Sequence, residues 1–448
     1  MVRMALRRGR PAAVAAAVAV AALVLSLSVA PAAQAHQSST RFYTPPPNPA
    51  AVAHITDLVR AGEFRDARLL AKMVRTPQAV WFTGGTPAEA RAKARDTVRA
   101  AARRHEVPVL VVYNIPFRDC AQYSAGGALN TADYLAWIDA FASGLGKHRA
   151  LVLLEPDGLG IIPFYTDING TMEWCQPRDG AGNPQPGASP QERFAAINGA
   201  VDRIGRQRNV RLYLDGTHSG WLGVGDAADR LVKAGVRRAR GFFINVSNYQ
   251  GTPQQQKYGT WISNCLALGR VGQSFSDCPS QYYPANPNDF STWGLTDQAY
   301  AERLAATGAV PSTRFVVDTS RNGQGPNDMS AYAGPPYNQP AAVVTALRNG
   351  NWCNPPGRGV GLRPTARTGV PLLDAYLWVK IPGESDGSCD IAGGARAWDF
   401  TIYNPWNVPP EQQRTFDPLW GMVDPPAGAW FREQAVELAR LANPPLTR

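Results

Sequence analysis

The sequence predicts an α/β fold, a seven-stranded parallel (β/α) barrel with long loops around one mouth. Seven short apolar runs alternate with helical patterns, as strands do when helical crossovers cover both faces of their sheet. A polar or acidic residue stands at the C-terminal end of most of these runs. In a parallel barrel those ends meet at one mouth, which favours a closed barrel over an open doubly wound sheet.

The strand-like runs are 79–83, 109–114, 151–155, 211–215, 242–247, 315–318 and 376–380. Helical patterns fall at 86–104, 131–145, 190–208, 225–234, 296–307 and 430–442. Pro87 suits a first helical turn, and Thr131 or Asp133 is the cap expected for the second helix. Four stretches break the rhythm: 160–189, 251–294, 325–351 and 390–426. Irregular stretches of that length tend to be functional, and on a barrel they would build or roof a channel.

Residues 1–35 read as a secretory signal. Arg3, Arg7, Arg8 and Arg10 form its basic part, 12–30 its apolar part, and Ala33-Gln34-Ala35 its cleavage site. If retained, the apolar run is long enough to span a membrane. After cleavage no stable membrane association is expected, and the protein is placed outside the cell. Removing four arginines lowers the net charge from +10 to +6. That excess has no Lys/Arg block or aromatic interleaving, so nucleic acid is not an expected partner. Residues 36–48, with Thr44-Pro-Pro-Pro-Asn-Pro, form an extended leader, and 49–448 read as a single catalytic-sized domain, expected to be monomeric.

Six cysteines in an exported chain suggest three disulfides, with connectivity open on spacing alone. Cys265 and Cys278 share one loop-like insert, Cys120 and Cys175 flank an acidic strand end, and Cys353 and Cys389 bracket a later strand. A zinc site is not expected, because there is no Cys-x-x-Cys and the five histidines are scattered. Asp119, Asp157 and Asp215 each stand where an apolar run ends. Carboxylates gathered at one mouth raise each other's proton affinity, as acid/base cleavage of a glycosidic bond requires.

Eight blocks in order carry a specific resemblance. They are Trp81-Phe-Thr-Gly-Gly, Val111 to Gly127 (with Asn-Ile-Pro-Phe-Arg-Asp-Cys), Leu151-Val-Leu-Leu-Glu-Pro-Asp-Gly-Leu-Gly160, and Asp215-Gly-Thr-His-Ser-Gly-Trp221. Asn245-Val-Ser-Asn-Tyr249, Asp318-Thr-Ser-Arg-Asn-Gly-Gln-Gly325, Trp352-Cys-Asn-Pro-Pro-Gly357 and Trp378-Val-Lys-Ile-Pro-Gly-Glu-Ser-Asp-Gly387 complete the set. Together they resemble glycoside hydrolase family 6. The resemblance implies a distorted seven-stranded barrel, hydrolysis of β-1,4-glucan with inversion, and no cofactor or metal. It also implies the disulfides Cys120–Cys175 and Cys353–Cys389, leaving Cys265–Cys278 outside the family pattern.

By that resemblance Asp157 is the general acid and needs a raised pKa. Asp119 is its negative neighbour and helps handle the attacking water, while Asp215 supports the site electrostatically. Asp386 is expected as the base, with a relay through a second water as the alternative; inversion keeps acid and base roughly 6.5–9.5 Å apart. Glu155 is expected to hold structure. Tyr113 is placed below the scissile sugar, and Trp81, Trp221 and Trp352 as platforms for the apolar faces of sugar rings. His218, Asn248, Asn354, Lys380 and Glu384 are expected to bond sugar hydroxyls. Gly216-Thr217 and Ala125 depart from frequent family residues, which bears on rate and substrate preference. The 390–426 insert favours a roofed, exo-acting cleft. The Asn245 to Tyr249 and Glu384 to Cys389 blocks, with no second Trp near Val224, are more similar to endoglucanases, the reading preferred here. A glycan-binding protein without turnover is the remaining class.

Overall fold

Residues 40–446 are described in the structure, a computed structural model. The signal segment and residues 36–39 of the leader lie outside them. Two N-terminal helices, α1 (Pro49–Arg60) and α2 (Phe64–Val74), precede the alternation. Then follow β1 (Val80–Phe82), α3 (Pro87–Arg103), β2 (Val109–Val112), α4 (Thr131–Leu145), β3 (Ala150–Leu154), α5 (Pro190–Gly205) and β4 (Val210–Asp215). The second half runs α6 (Val224–Lys233), β5 (Gly241–Ile244), α7 (Thr252–Arg270), α8 (Trp293–Thr307), β6 (Arg314–Asp318), α9 (Ala341–Asn349), β7 (Leu373–Leu377) and α10 (Arg432–Arg440).

All seven strands are parallel and lie in chain order, β1 to β7. Period-two alternation sorts their side chains into two cores. Leu110, Val112, Val152, Leu154, Leu212, Leu214 and Val317 face the helices. Val109, Val111, Leu151, Leu153, Tyr213, Phe243, Val316 and Leu377 fill the inside of the curl. Gly241 opens β5 because a Cβ there would stand 1.7 Å from the Arg314 carbonyl oxygen. The expected seven-stranded parallel barrel is present in distorted form, as a curled half-barrel. No ladder joins β7 to β1 among the described residues, and two bonds span the gap: Ala79 N to Trp378 O at 2.9 Å and Trp81 Nε1 to Val379 O at 2.8 Å.

Several local expectations also change. The 251–294 stretch is not irregular throughout, since α7 occupies its first half and carries Cys265. This helix buries Tyr258, Trp261, Ile262, Cys265, Leu266 and Leu268, so it presents no single apolar stripe to a periodicity reading. Likewise α9 lies inside 325–351. Asn130, rather than Thr131 or Asp133, caps α4 by accepting from the Asp133 N–H at 2.9 Å. At α3 Pro87 opens the first turn as expected, and a Thr86–Glu89 capping box holds it. The disulfides are Cys120–Cys175, Cys265–Cys278 and Cys353–Cys389. The end of the leader is tied down: Phe42 and Tyr43 are buried, and Tyr43 N donates to Val107 O. Among the described residues no helix is long and apolar enough to cross a membrane.

Candidate active site

Parallel strands deliver the acidic residues to one end. Asp119 follows β2, Asp157 follows β3, Asp215 ends β4, Asp318 ends β6 and Asp386 follows β7. The backbone there is unusual. Phe117, Asp119, Cys120, Ala121, Glu155, Asp157, Thr217, Asn245 and Ser247 all have φ between 46° and 68°. Non-glycine residues in that region cost roughly 1–3 kcal/mol each and persist only where their surroundings over-determine them.

Those surroundings are hydrogen bonds to buried charge. Glu155, fully buried, accepts the N–H groups of Asn114 and Ile115 at 3.0 and 3.1 Å, and burial pushes its pKa up to about 7. It therefore joins the ends of β2 and β3, as expected of a structural residue. Asp318 does the same for β5 and β7, accepting from Ser247 N, Val379 N and Lys380 N at 3.0–3.2 Å. Asp215 takes Leu159 N and Gly160 N on one oxygen, at 3.2 and 3.3 Å, and Thr217 N on the other at 2.9 Å. Burial raises its pKa to about 6 against those bonds.

Asp157 differs from its neighbours. Among the described residues no protein group hydrogen-bonds its carboxyl, and burial followed by the charges of Asp215, Asp119 and Asp386 pushes its pKa well up. Both causes favour its protonated form. Asp119 accepts from Ser124 N at 2.7 Å, and burial lifts its pKa to about 6. Asp386 behaves in the opposite way. Burial alone would raise its pKa, yet the cations Arg321 and Lys380 hold it down to about 2. Its Oδ2 receives Arg321 Nη1 at 2.8 Å, Asn354 N at 3.0 Å and the Tyr249 hydroxyl at 3.1 Å, while Lys380 Nζ lies 3.2 Å from Oδ1.

The aromatic and polar candidates fall into distinct places. Trp81 packs edge-on to Tyr113 at 5.5 Å, and the Arg118 guanidinium lies 4.7 Å over the tyrosine ring. Burial, Asp157 and Asp119 keep the Tyr113 phenol neutral. Trp221 lies on the turn that follows Asp157, where a Cβ at Gly160 would come within 2.4 Å of Trp221 Cη2. His218 packs against Trp221 at 5.8 Å, and its Nδ1 accepts from Gly220 N at 3.2 Å. Burial lowers its pKa to about 3, so the ring is neutral and Nε2–H is left to donate. Trp352 packs on Tyr123 at 5.9 Å. Asn248 Oδ1 accepts from Tyr249 N at 2.9 Å. Glu384 accepts from Asn48 at 3.0 Å, beside the start of α1, and so turns toward the N-terminal segment.

Asn354 is a correction. It is fully buried, and its amide donates to Ser385 Oγ, Gly387 O and Asp424 while accepting from Asp386 N. With its polar atoms consumed, it holds the Asp386 turn and has no group left for a sugar. Reading the sequence for site residues passed over Arg118, Arg321 and Tyr249. Arg118 and Arg321 stand inside the recognised blocks, one beside Asp119 and the other three residues after Asp318, and that adjacency was the available signal.

A parallel half-barrel that gathers buried carboxyls of opposed proton affinity at one mouth defines a hydrolase of the carboxylate-dependent kind. The comparisons agree. Residues 37–442 match the glycosyl hydrolases family 6. Endoglucanase 1 of Streptomyces halstedii is 33% identical over 346 residues, covering 76% of this chain and 80% of that protein. A probable 1,4-beta-D-glucan cellobiohydrolase C of Neosartorya fischeri is 30% identical over 361 residues, covering 75% of this chain and 62% of that protein. Among solved structures, the endoglucanase Cel6 from Mycobacterium tuberculosis, in complex with methyl-cellobiosyl-4-deoxy-4-thio-β-D-cellobioside, matches with a TM-score of 0.59. That match is at 30% identity and covers 90% of this chain and 98% of the other. The chain belongs to glycosyl hydrolase family 6.

Proposed function

We propose that the protein is a secreted, inverting β-1,4-glucanase that cuts within the chain, with Asp157 as its general acid. The observation that carries this is the setting of Asp157, half-buried at the mouth, without a hydrogen-bond partner among the described residues, and ringed by three other carboxyls that favour its protonated form. Such a group gives its proton to the leaving glycosidic oxygen. Asp215, anchored by three backbone N–H groups, supplies the fixed negative charge beside it.

Water activation follows from the contrast between Asp119 and Asp386. A useful base has a pKa near the working pH. Asp119, at about 6, meets that condition; Asp386, at about 2 and ion-paired, does not. In this reading Asp119 takes the proton, through a second water, and Asp386 stays ionised to orient the site. The resemblance made Asp386 the base, so this is a revision. Tyr113 and Trp81 lie under the reacting sugar. Trp221, with the neutral His218, holds the leaving side, and Trp352, Asn248, Lys380 and Glu384 are further sugar contacts. Residues 1–35 direct export, and 49–448 act as one catalytic domain.

The endo reading draws on the endoglucanase relatives and the motif forms; the insert at 390–426 supports the exo alternative. Its Trp398, Phe400 and Trp406 pack with Tyr332 and Tyr337, and the Arg396–Asp417 pair is buried, so the insert is an ordered wall. Carboxymethylcellulose viscosity and reducing ends, followed together for wild type and Asp157→Ala, decide between them. A steep early viscosity loss that the substitution abolishes supports endo cleavage with Asp157 as the acid. Reducing ends without viscosity loss would make the enzyme exo-acting, and no turnover on soluble or amorphous glucan would leave a binding protein.

A further inference from the structure

Two buried arginines outside the recognised blocks reach the turn that carries the acid. Arg193, in α5, donates through Nη1 to Gly158 O at 3.0 Å and Ile161 O at 2.9 Å. Arg230, in α6, donates through Nη1 to Leu159 O at 2.9 Å and Gly160 O at 3.2 Å. All four carbonyls from Gly158 to Ile161 thus accept from a guanidinium. The N–H groups of the same turn point the other way, with Leu159 N and Gly160 N both donating to Asp215 Oδ2.

Peptide by peptide, this forms two bridges. The group joining Gly158 to Leu159 has its carbonyl on Arg193 and its N–H on Asp215. The group joining Leu159 to Gly160 has its carbonyl on Arg230 and its N–H on Asp215. A cation on a carbonyl oxygen draws electron density from the amide nitrogen and strengthens the N–H as a donor, so such chains polarise along their length. Arg193 also donates through Nη2 to Pro116 O at 3.0 Å and Phe117 O at 3.4 Å, on the loop leading to Asp119. Glu155 and Asp157 on one loop, and Phe117 and Asp119 on the other, hold left-handed backbone that needs outside restraint.

We propose that Arg193 and Arg230 are positioning residues for acid catalysis, acting through two peptide groups to keep Asp215 ionised and the Asp157 turn fixed. The proposal rests on the assignment of Asp157 as the acid. Neither guanidinium hydrogen-bonds Asp215 or Asp157; their effect passes through the backbone. Arginine suits this work because its rigid fork serves several carbonyls at once, which a lysine ammonium does not. The charged and titratable groups facing them are few. Arg193 faces Glu155 at the end of β3, Tyr134 on α4 and Tyr113 beyond β2. Arg230 binds Asp226 and Glu173 and lies 4.8 Å over the Tyr165 ring. Asp215 faces Arg230 and Asp157, and Asp157 also faces Asp119 and Asp386.

The test uses the full chain with Arg193→Met, Arg193→Lys and Arg230→Lys. Leu438→Ala, in the core against α2, is the control for lost stability alone. For Arg193→Met the expected result is a kcat on cellopentaose lower by about a hundredfold, the scale of a misplaced reacting group, with KM within about threefold. Losing a cation disfavours both carboxylate charges, so both limbs of the pH profile move to higher pH. Arg193→Lys restores the limbs but only part of kcat. Wild-type limbs in Arg193→Met, or a kcat no lower than in Leu438→Ala at equal Tm, would overturn the proposal. If Arg193→Met does not fold, the two lysine variants decide: about tenfold lower kcat at unchanged KM supports it, and wild-type kcat overturns it. Carboxyl ¹³C titration of Asp215 separates this from the reading of function, since it needs no turnover. An apparent pKa higher in the Arg193 variant than in wild type supports the bridges even if no glucan is cut, and an unchanged value refutes them.

Discussion

Asp215→Asn isolates the charge that, after burial, most favours the protonated form of Asp157. The substitution keeps the shape of the side chain and removes its charge. Asp215 comes directly after burial among the causes of the raised Asp157 pKa. As a scale, any two like charges at about 5 Å and an effective dielectric of about 20 repel by roughly 3 kcal/mol, or about two pKa units. The Asp157 pKa should therefore fall by up to that amount, and the high-pH limb of kcat/KM, where the acid loses its proton, should move down with it. A stability effect comes too, because the amide presents an NH₂ to at least one of three N–H groups that now meet oxygen. An opposed buried donor costs about 1–3 kcal/mol, a few degrees of Tm in a chain of this size. The assay is kcat/KM on cellopentaose from pH 4 to pH 9, with Tm measured at each pH. A uniform loss of rate with the limb unmoved would refute the electrostatic role and leave Asp215 as a fold element.

Three further outcomes follow from the structure. Asp119 and Asp215 at about 6, Glu155 at about 7 and Asp424 at about 9 all sit above the ordinary carboxyl range, chiefly through burial. The folded state then binds more protons than the unfolded chain between about pH 4 and pH 9, so stability falls as pH rises through that window, most steeply up to about pH 7. Asp386, held at about 2, contributes stability that is lost only as pH falls from about 4 toward 2; calorimetry from pH 3 to pH 9 should place the highest Tm near pH 4–5, and a maximum at or above pH 7 would contradict the shifts. Replacing Cys265 and Cys278 by alanine opens a 13-residue separation worth about 3 kcal/mol by loop entropy, visible as a lower denaturant midpoint at unchanged kcat. Gly160→Ala forces Trp221 off the turn, since its new Cβ meets the indole at 2.4 Å; KM for cello-oligosaccharides should rise several-fold with Tm nearly unchanged, and an unaltered KM would separate Trp221 from sugar binding.

The strands were legible because most are short apolar runs buried on both faces, and so were the acidic residues, because a charge at the end of such a run is conspicuous. The same rule hid α7, whose burial on several faces leaves no helical stripe. Helix α1 follows directly on a proline-rich leader whose prolines favour extended chain, which masks the start of α1 and α2 in the sequence. Within the site, residue type was a good guide to location and a weaker one to role. Asn354 lies beside Asp386 as its block suggested, yet its amide is spent on Ser385, Gly387 and Asp424. Asp386 is an acidic residue at the mouth, yet Arg321 and Lys380 hold its pKa down against burial. Arg193 and Arg230 gave no sign at all, because in sequence each is an ordinary arginine on a helix, and their importance comes from carbonyls that only folding brings near. Partner and burial decide such roles, and both are long-range properties.

The most direct test of the central claim is the anomeric form of the first product. Proton NMR of cellopentaose cleavage, recorded within the first minutes before mutarotation, should show the α-anomer accumulating with wild-type protein and no product with Asp157→Ala. Initial release of the β-anomer would contradict inversion, and an Asp157→Ala variant that cleaves at the wild-type rate would remove Asp157 as the acid.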